Sequence, residues 1–124
     1  MVKKIIFIFS IFVLFNSAIA GEFLNGDEIK SLVTNKSWDV HNVAKDKTFK
    51  GYDNDQGEHY IHVPWKDKTF KRRWWVEGDM HCTSHPKRGD NCKKMKKVSE
   101  GVYHGISDGE HTHTLSNFRD GRDF

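Results

Sequence analysis

The sequence lacks the short motifs that mark the common enzyme classes. It contains no serine elbow, no His-Glu-x-x-His zinc motif and no phosphate-binding loop. Its two cysteines are ten positions apart, unlike a redox Cys-x-x-Cys. No internal repeat and no low-complexity linker divides the chain. We therefore expect one domain and no enzymatic activity.

The only long apolar run lies at the N-terminus. Lys3 and Lys4 precede an apolar stretch at 5–15, and the small residues of 18–20 follow it as a cleavage site. This pattern predicts a signal peptide at 1–20, with a retained membrane anchor as the alternative. The run is too short for a comfortable transmembrane helix, so we expect no membrane span after cleavage. The predicted location is the periplasm or the extracellular medium.

The charge of the remaining chain is almost balanced. Without Lys3 and Lys4, the 20 Lys and Arg fall to 18, against 17 Asp and Glu. Residues 21–124 are enough for a single core, and we expect one small domain that is a monomer. Because the exported domain is nearly neutral, we do not expect nucleic acid as a partner.

The cysteine content fits an oxidising compartment. Exported proteins keep disulfides, so Cys82 and Cys92 are expected to form one. Closing this short loop would stabilise the fold by roughly 2–3 kcal/mol in the chain-entropy model.

One helix should open the mature chain. Asn25 or Asp27 can cap its N-terminus, and Asn35 is a suitable stop. The helical spacing of apolar residues predicts a stripe that packs over one end of a sheet, made of Leu24, Ile29, Leu32 and Val33.

Short strands separated by turn residues occupy the rest of the chain. They are predicted at 37–42, 48–52, 58–63, 69–77, 80–85, 91–98, 102–107 and 111–118. The fold class is therefore mainly β: an antiparallel up-and-down meander or a small closed barrel, with about eight short strands, one N-terminal helix and one disulfide. In so small a barrel we expect side chains to fill the interior, with a hollow barrel as the alternative.

Alternation assigns the two faces of the strand at 69–77. The inner face should carry Phe70, Arg72, Trp74 and Val76, and the outer face Lys71, Arg73, Trp75 and Glu77. After the turn at Gly78, we expect Met80 and Cys82 to continue inward, with Cys82 next to Trp74.

Several segments resemble a group of small uncharacterised exported bacterial proteins with a lipocalin-like, or calycin-like, β-fold. The matching segments are LNGDEI at 24–29, GY at 51–52, DQG at 55–57, WxVEGDxxC at 74–82, Cys92 and GVY at 101–103. The resemblance implies a fold and a compartment, and it brings no catalytic motif. The chain departs from the pattern at Arg72 or Arg73, where a glycine is expected, at His81, where an apolar residue is expected, and in the charged run 93–97.

Histidines are the first candidates for chemistry, with eight in the chain. His111 and His113 are two apart, so a regular strand would place both imidazoles on one face. With a third histidine they could bind Zn²⁺ or Cu²⁺. Surface histidines without a ligand are the alternative, and apart from Zn²⁺ or Cu²⁺ no cofactor is expected.

A basic and aromatic cluster is the second candidate. Residues 66–97 hold eleven Lys or Arg and four acidic residues. We expect ligand binding at Trp74 inside a cavity, or at an outer face formed by Trp75, Arg73 and Lys71. The predicted function is an exported, non-enzymatic domain that binds a small ligand or a cell-envelope component; the alternative is a histidine-based Zn²⁺- or Cu²⁺-binding periplasmic protein.

Overall fold

A computed structural model describes residues 21–124; the predicted signal peptide lies outside the described residues. The chain forms eight antiparallel strands, each hydrogen-bonded to the next, and the first pairs with the last. The strands are β1 (Lys36–Asn42), β2 (Lys47–Asp53), β3 (Glu58–Val63), β4 (Lys68–Glu77), β5 (Met80–Thr83), β6 (Asn91–Ser99), β7 (Val102–Ser107) and β8 (Glu110–Asp120). The predicted mainly-β closed barrel with about eight strands is confirmed.

One helix, α1 (Gly26–Val33), precedes the barrel. Asn25 caps it with a capping box: its side chain accepts from the Glu28 N–H, and the Glu28 carboxylate accepts from the Asn25 N–H. Asn35 follows the helix with a positive φ of 60°, which suits a C-terminal stop. The predicted helix and both of its end signals are present.

The helix closes one end of the barrel. Ile29 and Val33 are fully buried in the core, which also contains Trp38, Val40, Trp74, Met95 and Leu115. Gly26 lies against the β4–β5 turn, since a Cβ there would be 2.7 Å from the Gly78 carbonyl oxygen. The Gly26 N–H donates to Asp79 Oδ1 over 2.9 Å. These contacts fix the helix over this end.

The disulfide joins β5 to β6. Cys82 and Cys92 lie opposite each other in the ladder, with their sulfurs 2.03 Å apart. The predicted pairing is confirmed. Because the residues between them form the loop at 84–90, the disulfide holds the base of that loop together. Among the described residues, no helix is both long and apolar enough to cross a membrane.

Candidate functional site

The two ends of the barrel differ. Helix α1 covers the end where β1 begins and β2 ends, whereas the loops at 43–46, 64–67, 84–90 and 108–109 surround the other. A cavity of about 1050 Å³ opens among the first three of these loops and extends into the barrel. The expectation of an interior filled by side chains is therefore wrong for this half of the molecule. A space of this size is sufficient for a small ligand.

The inner end of the cavity, which we call the floor, is formed by Trp38, Asp53, His59, Trp74 and His81. Trp38 is 2% exposed and lies flat on β2, because Gly51 has no side chain there. A Cβ at Gly51 would lie 2.9 Å from the indole ring. The indole N–H of Trp74 donates to the Asn54 carbonyl over 2.9 Å. Both rings are thus fixed by the backbone of neighbouring segments.

A buried carboxylate ties two histidines together in the floor. Asp53 is fully buried and accepts from His59 Nδ1 through one oxygen and from His81 Nε2, at 2.7 Å, through the other. Burial opposes ionisation of Asp53, but the two imidazole donors outweigh it and hold its pKa below the ordinary value. The His81 ring also stacks on Trp74, with 5.7 Å between ring centres. Each oxygen of the carboxylate therefore has one imidazole partner.

The side wall of the cavity is mainly apolar. Strands β1 to β4 and β8 contribute Val40, Phe49, Ile61, Val63, Phe70 and Leu115. Inward residues alternate with outward ones along each strand, so this lining follows from the closed barrel. An apolar wall favours a ligand with an apolar body.

Two basic side chains also line the interior of the cavity beside this apolar wall. Arg72 lies opposite His59 in the ladder, and Lys93 lies opposite His81. The Arg72 Nε is buried and has no hydrogen-bond partner among residues 21–124. Burial lowers the pKa of Lys93, and the charge of Arg88 adds to this effect. Both cations line the cavity.

His113 lines the cavity close to Lys93. Burial, with smaller effects from Lys93 and His111, lowers the pKa of His113 to about 4. The ring is therefore neutral at neutral pH. Its Nε2 lies 3.4 Å from the Asn42 amide nitrogen, and the ring meets Phe49 edge-on at 6.4 Å. A neutral imidazole neither adds to the positive charge of the interior nor offsets it.

A basic rim surrounds the opening. We define it by the exposed side chains Lys45, Lys47, Trp65, Lys66, Lys87 and Arg88. The Lys47 ammonium lies 4.8 Å from the centre of the Trp65 ring, and Trp65 is 49% exposed. Seven Lys or Arg residues line the cavity and its rim in total, against one acidic residue, Asp90.

The predicted ligand-binding residues divide between the two faces of β4. Trp74 points inward as expected but lies beneath the cavity lining. Lys71 lies on the outer face, where it forms a 2.8 Å ion pair with Glu58. Arg73 stacks over Trp75 with 5.5 Å to the ring centre. The structure therefore separates Trp74 from the outer trio Lys71, Arg73 and Trp75.

The side chains of β5 point to the opposite faces from those predicted. Val76 pairs with His81, and Trp75 pairs with Cys82. Residues directly opposite in a ladder share a face, so His81 lies inward and Cys82 outward. The expectation that Cys82 would be the inward neighbour of Trp74 is wrong.

The two histidines predicted to share a face do not do so. A register shift in the β7–β8 ladder falls between Gly105 and Ile106, opposite the segment that holds both histidines. His113 lines the cavity, whereas His111 stacks on His104 at 3.5 Å. Within residues 21–124, the one group of three donors close enough to share an ion is Glu77, Cys82 and Cys92, of which the disulfide occupies two. Zinc or copper binding stays a prediction.

Residues missed as site members are Asp53, His59, His81, Arg72 and Lys93. Alternation alone had already placed Arg72 on an otherwise apolar inner face, which was a usable signal. His81 and Lys93 could have been found from the same ladder, once its register was known.

Fold and cavity together define a closed eight-stranded barrel with an interior open at one end. Comparison of the chain with protein-family models, with curated proteins and with solved structures returned no match. The function must therefore be inferred from the cavity itself.

Proposed function

We propose that this protein is an exported, non-enzymatic binding protein that holds a small ligand inside its barrel. The observation that carries the proposal is the cavity of about 1050 Å³, with an apolar wall and an opening at one end. Export rests on the signal-peptide pattern at 1–20. The cell compartment would be the periplasm or the extracellular medium.

The interior is a better candidate than the outer basic face. Lys71 is already neutralised by Glu58, and the Trp75 indole donates to Glu77 over 3.2 Å. A surface whose polar groups are satisfied gains less from a partner, because those contacts must be exchanged for new ones. We therefore favour a small ligand over a cell-envelope component on that face.

The floor supports a binding role more than a catalytic one. Both Asp53 oxygens are engaged by His59 and His81, and the carboxylate is fully buried. A general base must reach the proton that it removes, either directly or through one water. We assign the three residues to fixing the floor of the cavity.

The test uses N-phenyl-1-naphthylamine, an uncharged apolar fluorophore, with protein purified from a periplasmic extract. We expect its fluorescence to rise on binding. Ile61→Trp should weaken binding at least tenfold, because the larger side chain occupies cavity volume. Tyr60→Trp is the matched control, since Tyr60 lies next in the chain on the opposite face.

Two results would contradict the proposal. One is a wild-type protein that does not change the fluorescence of the probe. The other is equal binding by wild type and Ile61→Trp, because the probe would then lie outside the barrel. Circular dichroism spectra and thermal melts of both variants establish that they are folded.

A further inference from the structure

The interior carries positive charge without a matching negative charge. Arg72 and Lys93 line the cavity, and neither lies within 4.0 Å of a carboxylate oxygen in residues 21–124. The one buried carboxylate nearby, Asp53, is bonded to two histidines. The lining offers only Asp90 as a further acid, and it is exposed beside the rim.

The cations cluster on one side of the cavity. Burial lowers the pKa of His85, and the charges of Arg88, Arg72 and Lys87 add to the effect. Arg88 also acts on Lys93. Arg72 lies on β4, Arg88 in the loop at 84–90 and Lys93 on β6, so all three line the β4–β6 side of the barrel, opposite the apolar residues of β1, β2 and β8.

Such an arrangement is costly when it has no partner. A buried donor without an acceptor loses its bonds to water and gains nothing in return. The Arg72 Nε is one such donor, while the Nη1 of the same guanidinium donates to the Lys71 carbonyl over 3.0 Å. The Lys93 stem passes over Gly105, where a Cβ would lie only 3.2 Å from its Cδ. The glycine makes room for a lysine on the inside of the barrel.

We propose, on the basis of the function proposed above, that the ligand is an amphipathic anion. Its carboxylate or phosphate head would bind on the side of Arg72, Arg88 and Lys93, and its apolar body would lie against the wall at Val40, Phe49 and Leu115. Charge-assisted hydrogen bonds to the head are stronger than neutral ones. An arginine fork also matches the geometry of both head groups.

The experiment compares decanoate with 1-decanol, which share an apolar chain and differ in charge. Each competes with bound N-phenyl-1-naphthylamine, and calorimetry measures decanoate directly. We expect decanoate to bind at least tenfold more tightly than decanol, as one charge-assisted hydrogen bond would give. Decyl phosphate is titrated beside decanoate, and the tighter of the two identifies the head group.

Substitutions of the interior cations, with matched controls on the outer face, test where the anionic head group binds. Arg72→Met and Lys93→Met should each reduce decanoate affinity about tenfold while decanol affinity stays within twofold. The controls Arg73→Met and Lys94→Met remove the adjacent cations on the outer face and should leave both affinities unchanged. Thermal melts exclude unfolding as the cause of any loss.

The outcomes separate this inference from the proposed function. Equal affinities for decanoate and decanol, both abolished by Ile61→Trp, would overturn the anionic head and keep the cavity. Decanoate binding that survives Ile61→Trp would place the anion on the outer surface and overturn this inference. A loss of affinity in the Arg73→Met or Lys94→Met controls as large as in the interior variants would overturn it as well.

Discussion

The same polar pair occurs in two opposite environments, once in the floor and once beside the opening of the barrel. In the floor, His81 and Asp53 are 2.7 Å apart, with side chains 11% and 0% exposed. Beside the opening, His41 and Asp46 are also 2.7 Å apart, with side chains 40% and 90% exposed. Water screens the exposed pair and can replace either partner. The difference teaches that burial, and not bond length, decides how much such a pair determines the structure.

The middle of the cavity belongs to neither end. Lys93 is withdrawn from water there, and neither Lys93 nor Arg72 has a carboxylate partner within residues 21–124, whereas Asp53 has two imidazole partners. The floor is thus complete without a ligand, and the cavity above it is not. Stability measurements can test this division. Removing a charge from the floor should destabilise the protein, whereas removing a cation from the cavity should stabilise it.

The largest effect is expected for Asp53→Asn in the floor. An amide cannot accept from both imidazoles as a carboxylate does, so one buried N–H loses its partner. Breaking a buried pair in this way typically costs about 3–5 kcal/mol. Urea unfolding should show a large fall in the midpoint at an unchanged slope.

Asp46→Asn is the control for this prediction. It makes the same chemical change in the exposed pair with His41, so we expect a loss of no more than about 0.5 kcal/mol. Similar losses for the two variants would contradict the contrast between the buried and the exposed pair.

A smaller effect of opposite sign is expected for the interior cations. Lys93→Met removes a charged group that burial withdraws from water, and we expect a gain of about 1 kcal/mol without ligand. In a domain of this size that gain would raise the melting temperature by about 4–8 °C. Arg72→Met removes a buried Nε that has no acceptor, but it also removes the Nη1 bond to the Lys71 carbonyl and the contact with the Phe70 ring, so we expect a smaller gain. For Lys93, the penalty is full below its lowered pKa, falls as the pH rises past it and is gone above the ordinary pKa of 10.5, so the gain from Lys93→Met should shrink at alkaline pH.

The outer-face controls should not share this gain. Arg73→Met and Lys94→Met remove exposed cations that lie over Trp75 and Phe23, so no burial penalty is relieved and a loss of a few tenths of a kcal/mol is expected. If Lys93→Met also destabilised the protein, this interior cation would have protein partners that stabilise it. The case for an anionic ligand would then be lost.

The local parts of this structure could be predicted from the sequence. Turn residues between alternating segments located all eight strands, because strand length and turn chemistry are local properties. The cap at Asn25 and the stop at Asn35 follow from the same kind of signal. Closure of the barrel follows from eight consecutive hairpins whose edge strands would otherwise stay unpaired.

Face assignments failed where register mattered. The two-residue turn at Gly78 places Val76 opposite His81, so the inward positions change from even to odd numbers between β4 and β5. A register shift opposite Gly105 similarly separates His111 from His113. The shift opposite Gly105 is a single-residue effect that alternation within one strand cannot reveal. The pairing across Gly78 follows from a regular two-residue turn, so the expectation for Cys82 misread the hairpin.

The cavity could not be predicted because it depends on how eight strands meet. Even so, alternation in β4 placed Arg72 on an otherwise apolar inner face, and Arg72 lines the cavity. A charged residue that interrupts an inward-facing apolar row was therefore the best sequence signal for the site, although only the closed barrel shows that it meets His81 and Lys93 in one space.

The last effect concerns the pH dependence of stability at His113, which lies between the dry interior and the exposed rim. Its folded pKa of about 4 lies below the ordinary 6.5, so between these values the unfolded chain binds more protons than the folded one. Stability should therefore fall as the pH drops from 6.5 to 4. Because the ring is only partly buried, we expect a loss on the order of 1 kcal/mol. In His113→Gln the fall in the free energy of unfolding across this range should be smaller than in the wild type, as measured by urea titration at several pH values. The remaining fall comes from His85 and His104, whose pKa values are also lowered by burial and by neighbouring charges. Below pH 4 both proteins should lose stability together, because Asp53 is ionised in the folded protein and takes up a proton when the chain unfolds. This shared fall serves as the internal control. An unchanged slope in His113→Gln would show that the imidazole is open to water, and the boundary between the dry interior and the wet rim would lie deeper than His113.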